Sequence, residues 1–538
     1  MKKHIQFLFM LLPLFASAQV QPSNQVQGLS KNESVQKYDE ILSYINLLYV
    51  DDVENKKLFE AAIEGLLEKL DPHSSYIPKE ESQSANDKIN GNFVGIGVRF
   101  QMLKDTFNIV QVIPGGPSEK VGLMDGDKII SVDGENVAGT GIKNSDIRKK
   151  LMGELNTKVK VEIMRPSAKK ILKFTITRGK IPMNSVDAAF MIDHSIGYIK
   201  LNSFSKTTTQ EVDSSIRLLS KQGMKSLILD LQDNGGGLMY AAKDIADMFL
   251  SDNKLIVYSE GRKQPKQELV ADKKGIWEKG SLILLTNENS ASASEIVSGA
   301  IQDWDRGLII GRRSFGKGLV QRPIRLADGG ELRLTIARYF TPTGRWIQRP
   351  YADGVKAYKS DYLTRYLHGE MIHKDSIKFP DSLKYQTNIT KRTVYGGGGI
   401  MPDIFVPLDT SGYSDYFKSL IRGGHFNTFP LTYVQKNKKS LLKQYPSITE
   451  FKEKFICDET FMKEFFAFVE KEQPDLKYDE EGYKESEYLM KIRLKSIIAQ
   501  DLWTFSEFYQ IYSETNEILQ EAIRVLQSGE YNNYSLDK

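Results

Sequence analysis

Between residues 181 and 408 two kinds of apolar pattern alternate, and nothing else in the sequence constrains the fold as tightly. "SIGYIKL" (195–201), "SLILDL" (226–231) and "SLILLT" (281–286) are short runs with apolar residues at consecutive positions. Such runs mark strands buried on both faces. Between and after them, Thr209–Lys221, Tyr240–Leu250 and the stretch from Ser292 onward carry helical spacing. Strand and helix in alternation predict an α/β core around a largely parallel sheet. Reactive loops of such sheets lie at the C-terminal ends of strands, where "DNGGG" (233–237) and "NENSASAS" (287–294) fall.

The flanking regions read differently. Tyr38, Ile41, Leu42 and Ile45, then Phe59, Ala62, Ile63, Leu66, Leu67 and Leu70, recur at helical intervals and predict an N-terminal helical module over 19–85. "LDPHSSYIP" (70–78) interrupts that pattern with two prolines and reads as an exit loop. Residues 86–180 hold short β-rich runs separated by Gly- and Pro-rich turns, with one helical stretch near Ser145–Leu151. "VGIGVRF", "VIPGGPSEKVGLMDGDKIISVDG" and "VKVEIMR" resemble a PDZ domain. The resemblance implies that Val94, Gly95, Ile96, Gly97 and Val98 form the loop whose amides receive a peptide's terminal carboxylate, the peptide adding as an extra strand. After Asp409, "EFKEKFICDETFMKEFFAFVEKE" and similar stretches predict a helical C-terminal domain, 409–538. The expected fold is therefore multidomain, α/β and α+β, with the core at 181–408. A length of 538 residues, too great for one ordinary core, agrees.

Residues 1–18, "MKKHIQFLFMLLPLFASA", combine a basic start, an apolar run from Phe7 to Phe15 and small residues at Ala16 and Ala18. That is the pattern of a secretory signal peptide cleaved before Gln19, since the run is too short to span a bilayer. No integral membrane span is expected after cleavage. Losing Lys2 and Lys3 lowers the formal net charge from +4 by two, a near balance that argues against nucleic acid as a partner. Cys457 is the single cysteine and is expected to be a buried small apolar residue. The "HGEMIH" stretch lacks the spacing that puts two histidines on one helix face, so no metal and no cofactor is expected.

"GRRSFGKGLV" (311–320) nearly spells a phosphate-binding loop, with Gly311, Gly316 and Lys317 in place. The position that should hold a magnesium-binding hydroxyl is Gly318, and "LVQRPIRL" beyond it contains Pro323 and reads as extended rather than helical. Lys317 needs another role.

The stretch "LILLTNENSASASEIVSGAIQDWDRGLIIGRRSFGKGLVQ" is the most informative. A buried strand delivers a small-residue turn, Ser290–Ser294, onto a helix, beside free helix amides. On local grounds Ser292 with Glu295 forms a capping box and needs no further purpose. The whole stretch, however, resembles the C-terminal processing peptidases, or tail-specific proteases. So do the PDZ-like segment before it, "YFTPTGRWIQ" (339–348) and "GGGGIMPDI" (396–404). The resemblance implies a serine endopeptidase with Ser292 as nucleophile, Lys317 as general base and Gln321 beside it. For the oxyanion it points to the backbone of Ala293 and of Gly235 or Gly236. "LDLQDNGGG" departs from the family pattern, with Gln232 where Arg is usual and Gly235 where Pro is usual.

The pairing has a physical rationale of its own. A lysine serves as base only when neutral, so its pKa must fall from about 10.4 toward roughly 7–8, which burial achieves. An uncharged Gln321 can bond the amine without restoring its charge, whereas an acid there would. The expected partners are proteins or peptides with accessible C-termini; an adaptor or self-association through 409–538 is left open. The expected location is exported and periplasmic, with membrane association open. The rival reading is an inactive scaffold that holds protein tails.

Overall fold

The computed structural model describes residues 31–534 and 536, apart from 167 and 252. The signal peptide expected at 1–18 lies outside the described residues. Helices Lys31–Leu48 and Asn55–Glu68 open the described chain. Among the described residues, those up to Gly65 form one compact unit and those from Leu66 onward a second, which carries everything that follows.

The core of the second unit is a six-stranded sheet in the order Val186–Met191, Ile196–Leu201, Ser226–Asp230, Ser281–Thr286, Leu308–Gly311, Ile404–Phe405. The first pair is antiparallel and the other four pairs are parallel. Side chains alternate across it with period two. Leu227, Leu229, Leu282, Leu284 and Ile309 join one apolar cluster with the helices Thr208–Lys221, Met239–Asp247 and Ala293–Asp303. Ile228, Ile283, Leu285 and Ile310 join the opposite cluster. Both faces are covered, which is why these strands read as unbroken apolar runs.

The region expected as a C-terminal helical domain divides its packing. Helices from Asp415 to Tyr512 share an aromatic-rich cluster centred on Phe417, Phe426, Phe451 and Phe465. The helix Glu517–Gln527 instead lays Ile518, Leu519, Ala522 and Val525 on the second face of the core sheet. Periodicity reveals such a helix, but not which surface it covers. Cys457 is buried in the aromatic cluster, and burial pushes its thiol up to about 12.

A second, antiparallel sheet lies beside the core. Its strand Glu331–Phe340 pairs with Leu319–Arg325, with Leu255–Gly261 and with the short Ser75–Ile77. The strand Leu319–Arg325 is the extended continuation expected after Gly318. A third sheet, built from Val98–Leu103, Thr106–Val112, Lys128–Val132, Lys158–Met164 and Leu172–Thr177, packs with the helix Asn144–Leu151 as a PDZ domain. The PDZ domain meets the C-terminal helices through Arg99–Asp501 at 3.0 Å and Lys438–Asp125 at 2.7 Å.

Candidate active site

The strand Ser281–Thr286 ends in the serine-rich turn, and the three serines have different fates. Ser290 Oγ donates to the Leu231 carbonyl at 2.7 Å and Ser294 Oγ to the Asn234 carbonyl at 2.9 Å; both serines are fully buried. Ser292 alone is partly exposed, and it holds φ +56°, ψ −110°. Backbone strain of this kind costs on the order of 1–3 kcal/mol and persists where the surroundings over-determine it. Here they do: Ser292 starts the helix Ala293–Asp303, every residue of which is buried.

The glycine run after Leu231 closes over the same point. A Cβ on Gly236 would stand 2.8 Å from Ser292 Cβ and 2.9 Å from the Ala293 nitrogen, so only glycine fits there. The Gly236 N–H donates to Asn234 Oδ1 at 2.9 Å. The amides of Ala293 and Gly235 have no acceptor among the described residues. With Gly235 in place of the usual proline, one more N–H is present in the loop. Gln232 is buried, its Nε2 3.2 Å from Asp230 Oδ2, while Lys200 neutralises Asp230 at 3.1 Å.

Lys317 arrives on the loop between Gly311 and Leu319, and one side chain ties that loop to the serine. Ser292 and Glu295 stand in the capping-box relation that the sequence predicts. Glu295 does far more than cap. Its Oε2 accepts the Ser292 N–H at 2.8 Å and the Lys317 N–H at 2.9 Å. Its Oε1 accepts the Gly316 N–H at 2.6 Å and the Ser314 hydroxyl at 2.5 Å. Burial pushes the Glu295 carboxyl up, and the four donors oppose that push. Since all four bonds are donated to it, the site is built around the ionised form.

Tyr339 makes a second tie, its hydroxyl 2.6 Å from the Lys317 carbonyl and 3.1 Å from that of Ser292. Lys317 itself is held below the usual lysine range, chiefly by burial; Glu295 and Asp71 pull it back up, and Arg333 pushes it further down. A lysine lowered in this way, on a loop whose backbone is tied to that of a strained serine, has the chemistry of a general base.

Gln321 lies on the strand Leu319–Arg325, directly opposite Thr335 and next to a bulge in the register. Its Nε2 is 3.3 Å from Thr335 Oγ1, a contact that uses one of the two N–H bonds of the amide. Thr335 in turn leads to "LDPHSSYIP". Asp71 Oδ1 accepts the Thr335 hydroxyl at 3.0 Å and the His73 and Ser74 amides at 2.8 and 2.9 Å. His73 Nε2 is 2.8 Å from the Tyr358 hydroxyl, which Gln348 also reaches, and Gln348 Oε1 accepts the Gly318 N–H at 2.8 Å. The stretch expected to be an exit loop thus abuts the lysine's surroundings. Its Asp-x-x-Ser pattern could have signalled a tight turn, but not the strand it would meet.

The Val94–Val98 loop lies in the PDZ domain. Val94 and Gly95 close the strand Asn92–Gly95, Ile96 is buried, Gly97 has φ +76°, and Val98 begins the next strand. The Ile96 and Gly97 carbonyls accept from Ser118 and Ile113, whereas their amides have no acceptor among the described residues. A cavity of about 350 Å³ opens beside the loop, walled by Phe93, Phe100, Leu151 and Met152. Free amides above an apolar slot suit a peptide terminus with an apolar last side chain.

Comparison with known sequences finds family matches in several parts of the chain. Peptidase family S41 matches residues 195–357, the PDZ domain 94–177, and the N-terminal domain described for the activating protease CtpB 11–81. The carboxy-terminal processing protease CtpB of Bacillus subtilis is 32% identical over 350 residues, spanning 64% of this chain and 72% of that protein. The CtpA protease of the same organism is 31% identical over 387 residues, spanning 67% and 82%. The chain belongs to the C-terminal processing peptidase family. It is accordingly a serine-type C-terminal processing protease that carries a PDZ domain and acts on peptide substrates. Among solved structures, a photosystem II D1 C-terminal processing protease aligns at 27% identity with a TM-score of 0.35, over 69% of this chain and 86% of that one. Residues 416–504 of this C-terminal processing peptidase match a family of unknown function. Among the described residues, no helix is long and apolar enough to cross a membrane, and no group of three or more His, Cys, Asp or Glu could hold a metal ion.

Proposed function

We propose that the protein is an exported endopeptidase that cleaves through a Ser292–Lys317 dyad and an acyl-enzyme. The observation that carries this reading is the Glu295 carboxylate. One oxygen, Oε2, accepts both the Ser292 and the Lys317 amides, which sets the two backbones side by side. In the reaction Lys317 Nζ, neutral through burial, takes the proton from Ser292 Oγ as that oxygen attacks the scissile carbonyl. The resulting oxyanion is met by the amides of Ala293 and Gly235, the two that have no other acceptor; Gly236 is the weaker candidate because its N–H is spent on Asn234. The protonated lysine gives its proton to the leaving amine. It then takes one from the water that attacks the acyl carbonyl and returns it to Ser292 Oγ as the ester bond breaks, which frees the product acid and restores both residues.

On this reading the Val94–Val98 loop receives the substrate's terminal carboxylate, and the slot beside it takes an apolar last residue. Residues 1–18 direct export, with the periplasm as destination, and the domain limits expected from the sequence (19–85, 86–180, 181–408 and 409–538) describe its modules.

The test is mass-spectrometric product mapping on an unfolded protein incubated with the chain from residue 19, beside Ser292→Ala and Lys317→Ala. The expected result is cleavage by the unaltered chain, abolished in both variants, with no nucleotide or metal added. Cleavage that persists in Lys317→Ala would overturn the dyad, and tail binding without cleavage by any of the three would favour the scaffold.

A further inference from the structure

A neutral lysine that works as a base has one lone pair and two N–H bonds. The lone pair must face the serine hydroxyl, so the N–H groups need acceptors, and a neighbouring amide helps only if it presents its carbonyl. An amide turned the other way offers N–H donors that compete for the lone pair. What decides the orientation of Gln321 is therefore a catalytic question.

The structure answers it by a chain of forced donors. Asp71, buried at 7% exposure, is a carboxylate and can only accept. Thr335 Oγ1, 3.0 Å from Asp71 Oδ1, must spend its single proton there. What it turns toward Gln321 is then a lone pair, which only the NH2 end of Gln321 can satisfy, at 3.3 Å. The Gln321 carbonyl is left at the other end of the amide. Thr335 has little freedom to break this order. Its N–H donates to Ser74 Oγ at 3.1 Å, and Ser74 Oγ donates to Asp71 Oδ2 at 2.6 Å, so both its polar groups are gripped by one turn. The cross-strand register places Thr335 and Gln321 opposite each other, the closest side-chain relation a sheet offers.

We propose that Asp71 is a positioning residue for the peptidase reaction, acting through Thr335 to fix the amide of Gln321 so that its carbonyl is the end offered to Lys317. The inference rests on the dyad reading above. The N-terminal segment thereby completes the active site: Asp71 precedes the PDZ domain in sequence, 264 residues before its Thr335 partner.

The test is a double-mutant cycle in the chain from residue 19, on one peptide substrate, with kcat and KM measured separately. Thr335→Val keeps the shape and removes the relay; it is expected to lower kcat about tenfold with KM within twofold. In a Gln321→Ala background the same change is expected to alter kcat by less than twofold, because there is no amide left to orient. Asp71→Ala should behave as Thr335→Val does. Asp71→Asn, which keeps an oxygen where three donors converge, and Thr335→Ser should both recover most of the lost kcat. A wild-type kcat in Thr335→Val, or an equal fall in both backgrounds, would overturn the proposal. If Thr335→Val does not fold, the same two outcomes are read from Asp71→Ala against Asp71→Asn. Ser292→Ala and Lys317→Ala run in parallel separate the two levels. If either still cleaves, the dyad itself fails and the relay with it; if both are dead and the cycle is additive, the relay alone fails.

Discussion

The hydroxyl of Tyr339 lies 2.6 Å from the carbonyl of Lys317, and the same oxygen is 3.1 Å from the carbonyl of Ser292. One buried phenol therefore contacts both members of the proposed dyad at their carbonyls, while Glu295 holds their amides. Burial keeps this hydroxyl protonated, its pKa raised well above the usual tyrosine value, so the donor is present at any pH at which the enzyme would work. Tyr339→Phe removes the single proton that reaches the Lys317 carbonyl at 2.6 Å and the Ser292 carbonyl at 3.1 Å, with little change of shape. The expected cost is about 1–3 kcal/mol, read as a lower thermal midpoint. Because the loss falls on dyad geometry, kcat should drop about tenfold while KM changes little. A variant that lost stability yet kept full kcat would show that Tyr339 does not align the pair.

Removing Arg333 should move the pH profile. Lys317 is lowered first by burial and further by Arg333, against the upward pull of Glu295 and Asp71. If neutral Lys317 is the base, activity rises with pH along a limb set by its pKa, and that limb lies below the ordinary lysine range. Arg333→Gln takes away a positive neighbour that disfavours the ammonium. The pKa must then rise, and the limb of kcat/KM against pH is expected to shift toward higher pH. A shift toward lower pH, or none, would disconnect the limb from Lys317.

Much of this architecture was legible because the sheet is covered on both faces. "SLILDL" and "SLILLT" could be nothing but buried strands, and their helices follow in order. Ser292 and Glu295 were legible as a cap, since a capping box is a contact three residues long. That the same carboxylate also holds the Lys317 loop was not, because the loop lies 22 residues further on and the bonds go to backbone amides, which no side-chain pattern records. Asp71 is the extreme case. Its local sequence fixes a turn, while its use depends on a strand pairing, Ser75–Ile77 with Glu331–Phe340, that no local periodicity encodes. Similarly, the sequence pairs Gln321 with the lysine amine but carries no signal for which end of its amide faces where, and the contact with Thr335 is what distinguishes the two ends.

Gly97 should control preference for tailed substrates. Its φ of +76° is unfavourable for an L side chain, and an added Cβ would stand 3.0 Å from Ile181 Cδ1. Gly97→Ala strains the loop by roughly 1–2 kcal/mol and turns its amides away from a terminal carboxylate. The expected outcome is a fall of about tenfold in the ratio of kcat/KM for a substrate with a free apolar C-terminus to that for the same substrate amidated. An unchanged ratio would place tail recognition elsewhere.

The Asp71 turn should loosen in acid, and His73 is the reason. Its imidazole is lowered to about 4, chiefly by burial, with Lys317 and Arg349 lowering it and Asp71 raising it. The unfolded value is 6.5, so between those limits an opened turn binds a proton that the closed turn does not. The sign follows directly. Closure is fully favoured above pH 6.5 and loses stability as pH falls toward 4, by about 3 kcal/mol in all. The amides of His73 and Ser74, both donated to Asp71, report this locally. Their hydrogen-exchange protection, corrected for intrinsic rates, should fall about a hundredfold between pH 6.5 and 4 in Ser292→Ala protein, which cannot digest itself. Adding His73→Gln should remove most of that dependence. If the double variant loosens as steeply as its parent, the acid sensitivity belongs to the surrounding carboxylates and not to His73.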